Sequence, residues 1–253
     1  CIVSGELPLS LKVAVVDPVH YAKATLRQEA RELGITIKGD IRQRAENTKS
    51  RLLAAHQSEP LGYYLRHMLQ RSDNQIADVL FKTTGGTHYS VPGNYRNGAA
   101  AVREILQDKA NVSLDNSYLA DGSGLSPHNQ VTVTNVIDTL THMARMKDQS
   151  LVNSLAVSGI SGTLQHRRGF NRPPLRGNIR AKTGHLAGHY NLAGYLTDRS
   201  GRTLSFAVFV NGFSLAKPDS AGQPASKRKL SAAPFFKRLF DRLYKVNETV
   251  ALN

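Results

Sequence analysis

The sequence has no tryptophan, one cysteine and three methionines among 253 residues. The single cysteine, Cys1, excludes an internal disulfide framework and any zinc site built from several cysteines. Acidic residues are also scarce, since 33 Lys and Arg stand against 19 Asp and Glu and give a formal net charge of +14. Such a charge attracts anionic partners, namely nucleic acid, an acidic polymer or a membrane surface, and does not by itself choose among them.

Long apolar runs are missing as well. No segment approaches the roughly 18 uninterrupted apolar residues that indicate a membrane-spanning helix. The 20 Gly and 10 Pro are too few for a collagen-like or low-complexity chain, and 40% hydrophobic residues are too many for a disordered one. The length predicts one large globular domain or two, with a sizeable core.

The chain opens at Cys1 without a Met and without a charged segment followed by an apolar one, which a secretory signal would show. We therefore expect these residues to be part of a longer protein, with Cys1 in a disulfide to an upstream cysteine. A free buried thiol is the alternative.

Apolar periodicity and turn residues predict a mixed α/β fold of the α+β kind, in which the last three strands form an antiparallel meander. One helix is expected to begin at Ser72 as its N-cap and to stop at Gly85-Gly86. The other predicted helices are 19–33, 61–71, 98–107, one that is capped by Thr132 or Thr134 and runs to about Met146, and 233–246. The predicted strands are 9–17, 35–41, 179–183, 190–197 and 204–210.

Two short motifs, Ser72-Asp73-Asn74 and Lys182-Thr183-Gly184, are each weak alone. Ser72 could be a plain helix N-cap, and Lys182 a strand lysine that faces solvent. Together and in this order they resemble the second and third signatures of the penicillin-recognising serine acyl-transfer enzymes. The flanking runs RSDNQIADVLFKTTGG, ADGSGLSPHN and AKTGHLAGHYNLAGYL resemble the class C low-molecular-mass penicillin-binding proteins. These are D-alanyl-D-alanine carboxypeptidase/endopeptidases of the penicillin-binding protein 4 type.

The resemblance implies a penicillin-binding, β-lactamase-like transpeptidase fold, with an antiparallel sheet flanked by helices. It also implies three catalytic residues. Ser72 would relay a proton toward the leaving amine, and Asn74 would bind the substrate amide. Lys182 would supply the positive field that an anionic substrate requires.

Three further residues would bind substrate. Thr183 would offer its hydroxyl to the terminal D-Ala carboxylate. Gly184 would let the substrate backbone lie against the strand edge, because a side chain there would obstruct it. The backbone N–H of His185 would be one oxyanion donor. We expect no cofactor and no metal, since His185 and His189 lie on a strand and turn with no carboxylate at ligand spacing.

The family's first signature, Ser-x-x-Lys, supplies the nucleophile and its base. It does not occur within residues 1–71, and its two matches, at 214–217 and 226–229, lie in a polar loop and are interpreted as solvated. We expect the nucleophile on an upstream N-terminal segment, so that this chain alone is not acylated. Residues 1–10 are predicted to be the edge of an inserted domain, and 11–253 the C-terminal part of the catalytic domain.

The implied activity is that of a periplasmic serine D,D-peptidase on peptidoglycan stem peptides, inhibited by β-lactam antibiotics. The rival hypothesis is a basic, non-catalytic binding module for cell wall peptide or nucleic acid. Scattered Lys and Arg without a recognition motif argue against nucleic acid. The basic amphipathic helix at 233–246 could lie on a membrane surface or wall polymer, but packing on its own sheet is favoured. The 121–126 loop is expected to be structural, with Asp121 bonding nearby amides.

Overall fold

The structure is a computed structural model that describes residues 15–43, 51–52, 55–212 and 233–246. Cys1, the predicted domain edge at 1–10 and both Ser-x-x-Lys matches lie outside these ranges and stay predictions, as does most of the predicted strand at 9–17. The chain divides into two compact units between Gln57 and Ser58.

In the first unit the described residues form one helix, α1 (Pro18–Glu32), which confirms the predicted helix 19–33. Asp17 caps its first turn by accepting a hydrogen bond from the His20 backbone N–H at 2.9 Å. The predicted strand at 35–41 is wrong. Among the described residues it pairs with no other strand. The Arg27 guanidinium instead donates to the carbonyls of Ile37 and Gly39 at 3.3 and 2.5 Å.

The second unit begins with helices that match most of the predicted ones. The predicted helix 61–71 is confirmed residue for residue. Thr132 is the N-cap of the helix Val133–Arg145. Gly85-Gly86 do not stop their helix, which continues to Tyr89. A Cβ at Gly85 would lie 2.4 Å from the Gly98 nitrogen, so this glycine serves close helix packing instead. The helices are α2 (Leu61–Arg71), α3 (Asn74–Tyr89), α4 (Tyr95–Ala110), α5 (Val133–Arg145) and α6 (Ser150–Ser154).

The junction between α2 and α3 is two residues long, and the prediction of Ser72 as an N-cap is wrong. Asp73 takes that place, and its carboxylate accepts a hydrogen bond from the Ile76 N–H at 3.0 Å. Ser72 instead ends α2 in the left-handed conformation, with φ 56° and ψ 50°. A non-glycine residue adopts this conformation uncommonly, and it turns the chain sharply between the two helices.

The sheet confirms the predicted antiparallel meander and the mixed fold with flanking helices. Its strands run in the order β1 (Ala156–Val157), β2 (Ile179–Leu186), β3 (His189–Thr197) and β4 (Thr203–Val210), and every neighbouring pair is antiparallel. The short strand β1 has no counterpart in the sequence prediction, because two residues are too few to show a period.

Successive side chains along a strand point to opposite faces of the sheet. Each face packs against a different helix. Leu192 and Leu196 belong to the cluster that contains Phe236 and Phe240 of α7 (Ala233–Lys245). On the other face the Tyr195 hydroxyl donates to a carbonyl of α5 at 2.7 Å. The favoured packing of the closing helix is thus confirmed. Within the described ranges, no helix has the length and hydropathy needed to cross a bilayer.

The turn between β3 and β4 is organised by Asp198, whose side chain is buried. The carboxylate accepts hydrogen bonds from the Ser200 hydroxyl and N–H at 2.7 and 2.9 Å, and from the Arg202 N–H and Nε at 3.0 and 2.8 Å. These bonds, that of the Ser200 hydroxyl first, lower the pKa of Asp198 from 3.8 to about 2, against the effect of burial.

We expect Asp198→Asn to destabilise the protein at neutral pH. A carboxylate whose folded-state pKa is lowered contributes stability above its ordinary value, and loses that contribution as the pH falls from about 4 to about 2. The stability gap between the variant and the original protein should therefore narrow over that interval in urea unfolding at pH 7, 4, 3 and 2. Asp108→Asn, on the exposed side of α4, is the control. A gap independent of pH would contradict the role of the carboxylate charge.

Candidate functional site

The two motifs meet where the α2–α3 junction faces the middle of β2. Lys182 shares a sheet face with Tyr195, because it pairs with Ala193 in the register of β2 and β3. Its Nζ donates to the Ser72 Oγ at 2.6 Å and to the Thr183 carbonyl at 2.8 Å. Lys182 is therefore not a strand lysine that only faces solvent, and residues 110 positions apart in the sequence are in direct contact.

Burial changes the proton affinity of this lysine. Desolvation disfavours the charged form and lowers the pKa of Lys182 below its ordinary value. Within the described part of the chain, no carboxylate lies within salt-bridge distance of its ammonium group. The positive charge is thus partly desolvated and not neutralised by an acidic neighbour, which suits the binding of an anion.

A cleft of about 860 Å³ opens beside this contact. It brings together all six residues that the sequence singles out: Ser72, Asn74, Lys182, Thr183, Gly184 and His185. Asn74 is the first residue of α3, and Gly184 and His185 are exposed on β2. The opposite wall consists of the loop at 123–131.

At the β2–β3 end of the cleft, strand β2 has no side chain at Gly184, and two aromatic rings lie in contact nearby. A Cβ at Gly184 would lie 3.3 Å from the Asn191 Cβ, so a side chain here would crowd the neighbouring strand as well as fill the cleft. The His185 ring lies against the Tyr190 ring with 4.4 Å between centroids. Asn191 also lines the cleft, and it belongs to no sequence motif that would have pointed to it.

The loop at 121–129 is held from inside by Asp121, which confirms its predicted structural role. The carboxylate accepts hydrogen bonds from the Gly124 N–H at 2.6 Å, the Ser126 N–H at 2.7 Å and the Asn129 side chain at 2.8 Å. Partial burial acts to raise the pKa of Asp121, but these hydrogen bonds outweigh it and lower the pKa. The loop is a preformed wall with an ionised carboxylate at its centre.

Asp78 of α3, which was not predicted from the sequence, holds this loop from outside. One of its carboxylate oxygens accepts from the N–H groups of Gly122 and Ser123, both at 2.9 Å. A Cβ at Gly122 would lie 2.4 Å from the Phe81 Cβ, so the loop backbone rests directly on the helix. No local sequence pattern predicts these hydrogen bonds, because Asp78 and its partners are 44 and 45 residues apart.

We expect Asp78→Ala to loosen the loop. Two backbone N–H groups lose their acceptor, at a cost of about 1–3 kcal/mol, and their hydrogen exchange should accelerate by on the order of tenfold or more. Exchange followed by mass spectrometry on peptides within 119–130 measures the effect. Asp148→Ala, which removes an acceptor of the Ser150 N–H in another loop, should leave these peptides unchanged. Unchanged exchange in Asp78→Ala would contradict the role of these hydrogen bonds.

Comparison with known sequences supports the resemblance of the motifs. A family model described as the D-Ala-D-Ala carboxypeptidase 3 (S13) family matches residues 1–232. The D-alanyl-D-alanine carboxypeptidase DacB of Haemophilus influenzae is 38% identical over 97% of this chain and 50% of its own length. A D-alanyl-D-alanine carboxypeptidase of an Actinomadura species is 31% identical over 85% of this chain and 42% of its own length. The chain thus spans about half the length of the curated relatives it matches.

Comparison with solved structures shows the predicted fold. Penicillin binding protein 4 of Haemophilus influenzae, crystallised with a β-lactam, superimposes with a TM-score of 0.81 at 36% identity, covering 92% of this chain and 53% of that one. A predatory endopeptidase of Bdellovibrio bacteriovorus gives a TM-score of 0.59 at 20% identity, over 91% of this chain and 57% of that one, which is a likeness of fold alone.

Proposed function

The chain belongs to the D-Ala-D-Ala carboxypeptidase 3 (S13) family, and from that premise we propose that it is part of a serine D,D-peptidase of peptidoglycan. The substrates are stem peptides, cleaved at a terminal D-Ala or at a D-Ala cross-link. The observation that carries the proposal is the 2.6 Å hydrogen bond between Lys182 Nζ and Ser72 Oγ inside the cleft. It supports Ser72 and Lys182 as catalytic residues of this chain, and we propose Asn74, which lines the same cleft, as the third.

Ser72 is suited to relay a proton. Its Oγ accepts from the Lys182 ammonium, so its own hydrogen is free to point elsewhere in the cleft. In the proposed reaction a serine oxygen attacks the carbonyl carbon of the penultimate D-Ala, and the C–N bond breaks. The departing nitrogen takes a proton by way of the Ser72 hydroxyl. Water then hydrolyses the acyl-serine.

We place the attacking serine and its lysine base on an upstream segment with the Ser-x-x-Lys motif. The residues that line the cleft here include serines at 72, 123 and 126, and none of them is followed three positions later by a lysine. In this proposal residues 1–10 are the edge of an inserted domain, and the rest of the chain completes the catalytic domain around the upstream helix.

The substrate-binding proposal rests on the exposed edge of β2. The partly desolvated ammonium of Lys182 attracts the terminal carboxylate, and the Thr183 hydroxyl donates to it. Gly184 leaves room for the peptide backbone, and the backbone N–H of His185 is the proposed oxyanion donor. β-Lactams would occupy the same edge, in keeping with the β-lactam present in the Haemophilus influenzae crystal structure.

The substrate sets the location that we propose, the periplasm, where peptidoglycan is accessible. The net charge of +14 favours peripheral association with anionic wall polymer or lipid through diffuse attraction. Along the sequence the Lys and Arg residues are scattered and do not show the aromatic-interleaved pattern typical of nucleic-acid-binding modules.

The test is the intact mass after incubation with a penicillin, for this chain alone and for a form that carries the upstream sequence. We expect an adduct on the longer form only. In that form Ser72→Ala and Lys182→Met should slow acylation on the order of 100-fold or more, through loss of proton relay and of charge.

The matched controls are Ser90→Ala and Lys109→Met. Ser90 also ends a helix in the left-handed conformation, with φ 55°, and Lys109 lies exposed in the last turn of α4. Both variants should acylate normally. An adduct on the isolated chain would show that the nucleophile lies within these residues, and the absence of an adduct on either form would overturn the proposed activity.

A further inference from the structure

A tight turn lies between the end of α2 and the proposed substrate-binding edge of β2 and contacts both. It contains the 3-10 helix Gly162–Leu164, and Gly162 has φ 57°. A Cβ on Gly162 would lie 2.7 Å from the Gln70 carbonyl oxygen and 2.9 Å from the Ala156 Cβ. The turn is therefore pressed between β1 and the last turn of α2, two residues before Ser72.

The residues before and after Thr163 in the turn are held in place by a hydrogen bond and by core packing. The Ser161 hydroxyl accepts a hydrogen bond from the Val157 N–H at 3.2 Å. The Leu164 side chain is fully buried in the core beneath the sheet. Thr163 itself is exposed, and its Oγ1 accepts a hydrogen bond from the Thr183 hydroxyl at 2.9 Å. A rigid turn thus holds a second hydroxyl against the hydroxyl that is proposed to bind the substrate carboxylate.

We infer that Thr163 is a positioning residue for the carboxylate subsite, an inference that rests on the proposed function. A carboxylate can only accept hydrogen bonds, so Thr183 must donate its hydrogen to it. The Thr183 oxygen is then left to accept, and Thr163 is the neighbour that can donate to it by turning its own hydroxyl. In such a chain of hydroxyls each bond polarises the next, so the donation to the carboxylate strengthens.

The turn also fixes where this subsite lies relative to the reacting groups. Through Gly162 it touches Gln70, and α2 ends at Ser72. Through Thr163 it touches Thr183, whose neighbour Lys182 holds the Ser72 hydroxyl. Contacts on both sides of the turn therefore set the distance from the carboxylate subsite to the proton relay.

The experiment uses the form that carries the upstream sequence and compares acylation by benzylpenicillin with acylation by its methyl ester, which lacks the carboxylate. Thr163→Val keeps the side-chain shape and removes the hydroxyl. It should slow acylation by benzylpenicillin about two- to tenfold, the range of one net hydrogen bond, and leave acylation by the ester unchanged. Thr163→Ser should restore the rate with benzylpenicillin. Thr139→Val is the matched control, since the Thr139 hydroxyl donates to a carbonyl within α5.

A double variant separates positioning from general damage. In a Thr183→Val background, Thr163→Val should have no further effect, because the group through which it acts is gone. An equal slowing with both compounds, or no slowing with benzylpenicillin, would overturn the inference while leaving the proposed function intact. If the unsubstituted longer form is not acylated at all, the proposed function fails and this inference fails with it.

Discussion

The hydrogen bond from Lys182 to Ser72 is the contact on which the rest of the site depends. It joins a strand in the middle of the sheet to the junction of two helices, and so brings together two motifs that the sequence keeps far apart. The same burial that makes this contact lowers the lysine pKa, because a desolvated ammonium is less stable than a hydrated one. The hydrogen bond to Ser72 and the lowered pKa of Lys182 therefore have one cause, the burial of the lysine side chain.

The surroundings of this contact are built by close backbone approaches and half-buried carboxylates. Gly162 lets a turn reach the end of α2, and Gly122 lets a loop rest on α3, where any side chain would collide. Asp78 and Asp121 accept hydrogen bonds from four backbone N–H groups of the loop that contains Gly122. Satisfying backbone groups in this way makes a polar loop rigid enough to act as the wall of a binding site.

Where local physics dominates, the sequence predicts the structure closely. The helix at 61–71 follows from its apolar spacing, and the strands at 190–197 and 204–210 from their β-branched and aromatic residues. The misses arise where a tertiary partner overrides the local signal. The segment at 35–41 alternates like a strand but pairs with no strand in the described part of the chain. Gly85-Gly86 look like a helix stop, but the helix continues, and Gly85 serves the packing of α3 against α4.

By itself the sequence determined the family motifs, the antiparallel meander and the excess of positive charge, since each is written in residue type and order. Only the tertiary structure decided that Ser72 ends a helix in a left-handed conformation, that Asp78 clamps a loop 44 residues away and that Thr163 meets Thr183. Hydrogen bonding and desolvation depend on which groups become neighbours in space. When two groups lie on different helices, strands or loops, their spacing along the chain does not show that they become neighbours.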